Sequence, residues 1–301
     1  MAIRVALVGA GTRAREGLAP ALARSPRLEL VGVWGRSRSL LEALAQHYGV
    51  PAFQRFGELL PRCDALVFAV PPTVQAELAA DAASAHKALL LEPMLGGDLA
   101  GAERLVVAAV QGHAVTELAL TWRYAEAVRT FLAVQVPRTH PQGASGRLVS
   151  GMHAPGSAVS GWRRERGVLR DMGPHLLDVL DAALGPIADV RAHGEPDGWV
   201  GLLLEHGLGR FSEASMTATG APGERRAEVE VFGPGGAAFI DAEAAVGPET
   251  LDTMLAEFAD AVESGTSHAL DVERGLHLQR VVDAAQTELM RLASAGSPAG
   301  R

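Results

Sequence analysis

Cysteine is almost absent: Cys63 stands alone in 301 residues, so no disulfide can form within the chain and a cytoplasmic setting is the expectation. Long apolar runs are missing too, since none approaches the roughly 20 residues that a membrane-spanning helix requires. The chain enters an apolar run at Ile3 without the basic segment and small-residue cleavage site of a secretory signal. Positive charge is not in excess. A net charge of -8 repels phosphate backbones and the arginines are scattered rather than striped, which argues against nucleic acid as a partner. A soluble protein is the expectation.

Apolar residues make up 48% of the chain, ample for buried sheets, and the length fits two domains. The first third alternates short apolar runs with helix-compatible stretches. Strands are predicted at Ile3 to Val8, Leu28 to Trp34, Ala65 to Val70, Ala88 to Leu91 and Val115 to Thr121. Helices are predicted over Leu18 to Ala23, Leu40 to His47, Val74 to Ala85 and Leu99 to Val110. This α/β alternation predicts a doubly wound, Rossmann nucleotide-binding domain over residues 1–121.

From Trp122 onward the texture changes. Glycine-punctuated runs at Gly146 to His153, Ala188 to His193, Trp199 to Glu205, Gly209 to Ala218, Ala227 to Phe232 and Ala237 to Asp241 predict hairpins. The second domain, 122–301, is therefore expected to be α+β, with an open, mainly antiparallel sheet covered on one face by helices. Those helices are Met172 to Leu184, Leu251 to Val262 and Val272 to Ala293, and the tail Ser294 to Arg301 is expected to fray.

The first strand runs into Gly9-Ala10-Gly11-Thr12-Arg13-Ala14, which matches G-x-G-x-x-G/A at a strand-to-helix junction. Gly9 permits the tight turn, Gly11 lets backbone approach a pyrophosphate, and Ala14 lets the helix pack close to the sheet. The helix N-terminus offers free N–H groups to the diphosphate, with Thr12 and Arg13 expected against it. NAD-preferring folds carry an acidic residue at the end of the second strand, about 20 residues on. Here that strand ends in Trp34-Gly35-Arg36-Ser37-Arg38, with no carboxylate to repel a 2′-phosphate and two arginines to bind one. NADP(H) is therefore expected over NAD(H).

Several segments resemble the Gfo/Idh/MocA oxidoreductases, two-domain enzymes acting on sugars, cyclitols and related compounds. The glycine loop is one, and Asp64-Ala65-Leu66-Val67-Phe68-Ala69-Val70-Pro71-Pro72 is similar to the family's D-x-V-x-I-A-T-P-P. Leu91-Glu92-Pro93-Met94 stands where the family has E-K-P, and Trp122-Arg123-Tyr124 marks the domain crossover. Asp171-Met172-Gly173-Pro174-His175-Leu176-Leu177-Asp178 resembles D-x-G-x-H-x-x-D, and Phe258 to Gly265 before a long helix is similar again. The resemblance implies that Val70 and Pro71 border the ribose path, that Glu92 lies near the nicotinamide, and that the second sheet forms a homodimer or larger homo-oligomer.

Asp171, His175 and Asp178 are spaced to share one helix face. An imidazole exchanges a proton near neutral pH, and Asp171 is expected to orient that of His175. The same spacing suits a metal, but no second His or Cys cluster completes a shell, so none is expected. The departure is Pro93. It stands where the family's lysine would hydrogen-bond the reacting oxygen, and it has neither a side-chain donor nor an N–H. Lys87 should sit at the far end of its strand, and Gln75 replaces a histidine often found after the Pro-Pro turn. Trp122, Arg123, Tyr124, His153, Trp162 and Arg163 are candidate pocket residues, Tyr124 being a spare proton donor. The expectation is an NADP(H)-dependent oxidoreductase lacking the usual lysine. The alternative is a catalytically silent nucleotide-binding homologue serving as a sensor or assembly partner.

Overall fold

The computed structural model describes residues 2–154 and 161–296. It divides into two compact units, Met1–Thr121 with Pro248–His277 and Trp122–Gly247 with Leu278–Arg301. Among the described residues no helix is long and apolar enough to cross a membrane.

The first unit is built on six parallel strands: β1 (Ile3–Val8), β2 (Leu28–Trp34), β3 (Ala52–Phe53), β4 (Ala65–Phe68), β5 (Ala88–Leu91) and β6 (Thr116–Leu118). Their order is β3-β2-β1-β4-β5-β6. The inner strands β4 and β5 are buried at every position, and for that reason read as unbroken apolar runs. Strand order reverses between β1 and β4, so a crevice for a dinucleotide is defined outside the carboxyl ends of those strands.

Element ends differ from expectation for local reasons. The strand expected to reach Val70 stops at Phe68, because Pro71 and Pro72 open the helix Pro72–Ser84. The strand expected over Val115 to Thr121 shortens to Thr116–Leu118. The helix expected from Leu18 starts earlier, as a π-helical turn Arg13–Leu18 that runs into Ala19–Arg24. The helix Leu99–Gln111 is capped by Asp98, whose carboxylate accepts from the Gly101 N–H at 2.7 Å.

The helix Pro248–Ser264, expected to cover the second sheet, belongs to the first unit. Arg24 reaches Asp252 at 2.6 Å, and Arg27 spans Asp260 at 2.7 Å and Glu263 at 2.8 Å. Such exposed pairs are individually weak. Burial of Met254, Leu255 and Phe258 carries the docking, at about 1.5–3 kcal/mol for each large side chain.

The second unit holds β7 (Gly143–Ser150), β8 (Ile187–Gly194), β9 (Trp199–His206), β10 (Arg210–Thr217), β11 (Arg225–Gly233) and β12 (Gly236–Asp241) in the order β12-β11-β7-β10-β9-β8. Only the β7–β10 pair is parallel. Alternation puts Ala144, Leu148, Leu202, Met216 and Val229 on the inner face, beneath the helix Gly173–Leu184. A Cβ at Gly146 would press on Leu176 and Leu180 at 3.1 Å each, so the glycine sets how closely that helix approaches. The last helix, Val272–Gly296, runs past its expected end at Ala293. Of the expected frayed tail, residues 297–301 lie outside the described residues.

Candidate active site

The turn after β1 is fixed by two glycines with different duties. Gly9 has φ +128°, and a Cβ there would overlap the Ala69 carbonyl oxygen, so no larger residue fits. A Cβ at Gly11 meets no atom within 4 Å, which leaves its backbone open for close approach by a ligand. Ala14 is fully buried where the helix meets the sheet. The Thr12 side chain makes no capping hydrogen bond and is exposed at the mouth of the loop. Val70 is buried and Pro71 half-buried at the carboxyl end of β4.

Arg13 departs from expectation. Its side chain crosses to the end of β5, where Nε lies 3.1 Å from Glu92 Oε1, and Nη2 donates to Thr121 Oγ1 at 3.2 Å. The half-buried carboxylate attracts the guanidinium more than the helix N-terminus beside it, which presents N–H donors. Pro93 and Met94 beyond Glu92 are buried. Lys87, the only lysine of the chain, donates to the Cys63 carbonyl at 2.9 Å at the amino ends of the strands, remote from the crevice. Burial pushes the Cys63 thiol up to about 11, so it is no nucleophile near neutral pH.

At the end of β2, Gly35 is buried against Ala10 and Leu41, and Arg36 is exposed with no hydrogen bond or ion pair among the described residues. Ser37 lies 3.5 Å from the Ser39 hydroxyl. Arg38 pairs with Glu42 at 2.7 Å one helical turn on. Both partners of that pair are solvent-exposed, so it is weak and readily released.

In the second unit, His175 is half-buried on the helix Gly173–Leu184 and its ring packs at a tilt on Trp122, centroids 5.4 Å apart. The Trp122 Nε1 donates to Glu243 at 3.1 Å, and Arg123 pairs with the buried Asp178 at 2.9 Å. The expected Asp171–His175 pair does not form. Both Asp171 oxygens take Arg163 Nε, at 2.9 and 3.2 Å. The cause lies in the backbone: Pro174 has no N–H for the Arg170 carbonyl, so the helix Gly167–Asp171 ends and a new one begins at Gly173. Arg166 Nη2 donates to that carbonyl instead, at 2.7 Å. Asp171 and His175 thus sit on different helices, and the four-residue spacing no longer puts them on one face.

Tyr124 is 1% exposed, with the Arg129 guanidinium 5.6 Å over its ring. Its ring is packed in the core of the second unit. His153 is a group that sequence reasoning noted without assigning. Its Nε2 is buried with no partner among the described residues, burial lowers its pKa, and the nearby Asp171 charge opposes that shift. The Trp162 side chain lies outside the described residues. Among the described residues no three His, Cys, Asp or Glu side chains converge as a metal site.

Residues 3–119 match the sequence model of GFO_IDH_MocA, described as an oxidoreductase family with an NAD-binding Rossmann fold. The match lies within the first unit, whose sequence is similar to the NAD-binding domain of that oxidoreductase family. The chain's fold is shared across nearly its whole length by solved proteins of low identity. A myo-inositol dehydrogenase from Corynebacterium glutamicum is 18% identical, with a TM-score of 0.83 over 97% of each chain. The UDP-N-acetylglucosamine 3-dehydrogenase GnnA from Acidithiobacillus ferrooxidans is 17% identical, with a TM-score of 0.84 over 97% of this chain and 99% of that one. GenD2 from gentamicin A biosynthesis, in complex with NAD, is 19% identical, with a TM-score of 0.83 over 96% and 94%. No curated protein matches the sequence significantly.

Proposed function

We propose that the chain transfers a hydride between C4 of the nicotinamide of NADP(H) and a small substrate, a sugar-like carbonyl or alcohol or an imine, without a lysine as proton donor. The carrying observation is the Gly9/Gly11 turn set at the crevice of a β3-β2-β1-β4-β5-β6 sheet. The backbone N–H groups of Gly11 to Ala14 hold the diphosphate, and Thr12 adds a hydroxyl. Val70 and Pro71 border the ribose path and Glu92 faces the nicotinamide. Hydride transfer itself asks the protein chiefly for proximity and orientation. His175 exchanges the substrate proton in this reading, and Asp171 acts only through Arg163. UDP-N-acetylglucosamine and myo-inositol, named for two structural neighbours, support a sugar-like or polyol substrate.

Preference for NADP(H) is supported by the exposed, uncommitted Arg36 and by the weakly held Arg38 at the ribose end. Purified protein is expected to oxidise NADPH faster than NADH against a panel of imines, ketones and sugar aldehydes. Arg36→Ala should weaken NADPH roughly 10- to 100-fold, the worth of one charge-assisted hydrogen bond, and leave NADH unchanged. An unaltered preference discredits the phosphate assignment. Binding of NADPH with no turnover across the panel would instead favour the silent homologue.

The reading includes a homo-oligomer and a cytoplasmic location. The outer face of the second sheet exposes Trp199, Leu203, Phe211, Phe232 and Phe239, and a cavity of about 440 Å³ on it is lined by Trp199, Leu203 and Phe239 together with Arg147, Glu213, Glu228 and Glu230. Five large apolar side chains exposed on one sheet face support an interface there. Light scattering is expected to report a dimer or larger species, and Phe239→Glu to dissociate it. A monomeric wild-type protein rejects the assignment.

A further inference from the structure

The segment after β5 has a fastening that the proline at its centre makes necessary. Pro93 offers no N–H, so Glu92–Met94 cannot hold itself by a regular ladder. One side chain does so from outside. Gln75, in the first turn of the helix Pro72–Ser84, is fully buried. Its Nε2 donates to the carbonyl oxygens of Glu92 and Met94, both at 3.1 Å, and its Oε1 accepts from the Glu92 N–H at 2.9 Å. A single carboxamide thus satisfies three backbone groups on the two sides of Pro93. No other side chain of similar length offers two donors and an acceptor in one plane.

The fastening continues into the crevice. With its backbone fixed, Glu92 presents its carboxylate to Arg13 of the glycine loop, and Arg13 reaches Thr121 after β6. The network therefore ties together the carboxyl ends of β1, β5 and β6. In a doubly wound sheet of this order the β1–β3 half takes one mononucleotide and the β4–β6 half the other. Gln75 follows β4 and Glu92 follows β5, so the three bonds of the carboxamide all fall in the second half, and only Arg13 links the network to the first.

We propose that Gln75 is a positioning residue for the nicotinamide end of the dinucleotide: its carboxamide holds Glu92–Met94 as a rigid wall where the chain has no lysine. This rests on the cofactor reading above. It assigns the segment a binding role in place of proton transfer, and makes Gln75 matter to one half of the cofactor and not to the other. A buried carboxamide that only supported the fold would not discriminate between the halves.

The test compares Gln75→Leu and Gln75→His with the wild-type chain, measuring affinity for NADPH and, separately, for 2′-phospho-ADP-ribose, which lacks the nicotinamide. Melting temperature is followed in parallel. Gln75→Leu is expected to weaken NADPH about tenfold, through loss of preorganisation, and to leave 2′-phospho-ADP-ribose unchanged. Gln75→His, which keeps one donor, is expected to fall between, and it carries the test if Gln75→Leu does not fold. Equal weakening of both ligands, or of neither, overturns the proposal while leaving the cofactor reading intact. Failure of the wild-type chain to bind either ligand overturns both.

Discussion

Gly9→Ala is expected to lower the melting temperature by roughly 6–12 °C and to abolish nicotinamide-cofactor binding. The estimate takes about 3 kcal/mol for a non-glycine residue forced into a glycine-only conformation with a steric overlap, at about 2–4 °C per kcal/mol for a unit of this size. The overlap is with backbone, the Ala69 carbonyl oxygen between β4 and its helix, and backbone cannot rotate aside as a side chain would. Gly11→Ala is the paired control. Gly11 is not among the residues with positive φ, and its Cβ would meet nothing within 4 Å. It should melt like the wild type yet bind cofactor weakly, because the added methyl occupies the ligand's path. Calorimetry with a fluorescence titration separates the two, and a Gly9→Ala protein that melts normally contradicts the account of the turn.

His175→Ala is expected to cut turnover by about 10²- to 10⁴-fold, the usual worth of a positioned acid or base, while leaving NADPH affinity nearly intact. Its half-buried ring, steadied by Trp122, is suited to proton exchange. Asp171→Asn sharpens the test. Had Asp171 oriented the imidazole, its loss would cost nearly as much as loss of the histidine. The structure gives Asp171 to Arg163, so Asp171→Asn should leave the pH–rate profile in place and lower activity much less. Equal turnover in His175→Ala removes that residue from the mechanism.

The nucleotide-binding unit was legible because its signals are local. Buried parallel strands read as apolar runs, and the glycine loop follows directly from a strand. Two-residue β3 and the short helix Phe56–Leu59 are too brief to leave a periodic trace. The helical turns from Glu126 to Thr139 and from Gly161 to Asp171 escaped because tertiary context, not spacing, sets them. The candidate site was legible residue by residue but not pair by pair. Asp171 and His175 fit a helical spacing, and one proline moved them to separate helices. Arg13 and Glu92 are 79 positions apart, and nothing in either neighbourhood announces their pairing. Gln75 stood out only as a substitution, since three hydrogen bonds to backbone are invisible before the fold is known.

The return of Pro248–Ser264 to the first unit has a consequence for biosynthesis. The ribosome completes Met1–Thr121 early, but the helix that buries Met254, Leu255 and Phe258 in that unit is finished only after about 140 further residues, about 7–28 s later at ordinary elongation rates. During that interval all six strands of the first sheet exist, but the unit lacks this helix and the flank it covers faces solvent. Because the second unit takes its last segment from Leu278 onward, vectorial synthesis completes the first unit before it. Expression of residues 1–121 alone should yield a chain dependent on chaperones, where the full-length protein is not.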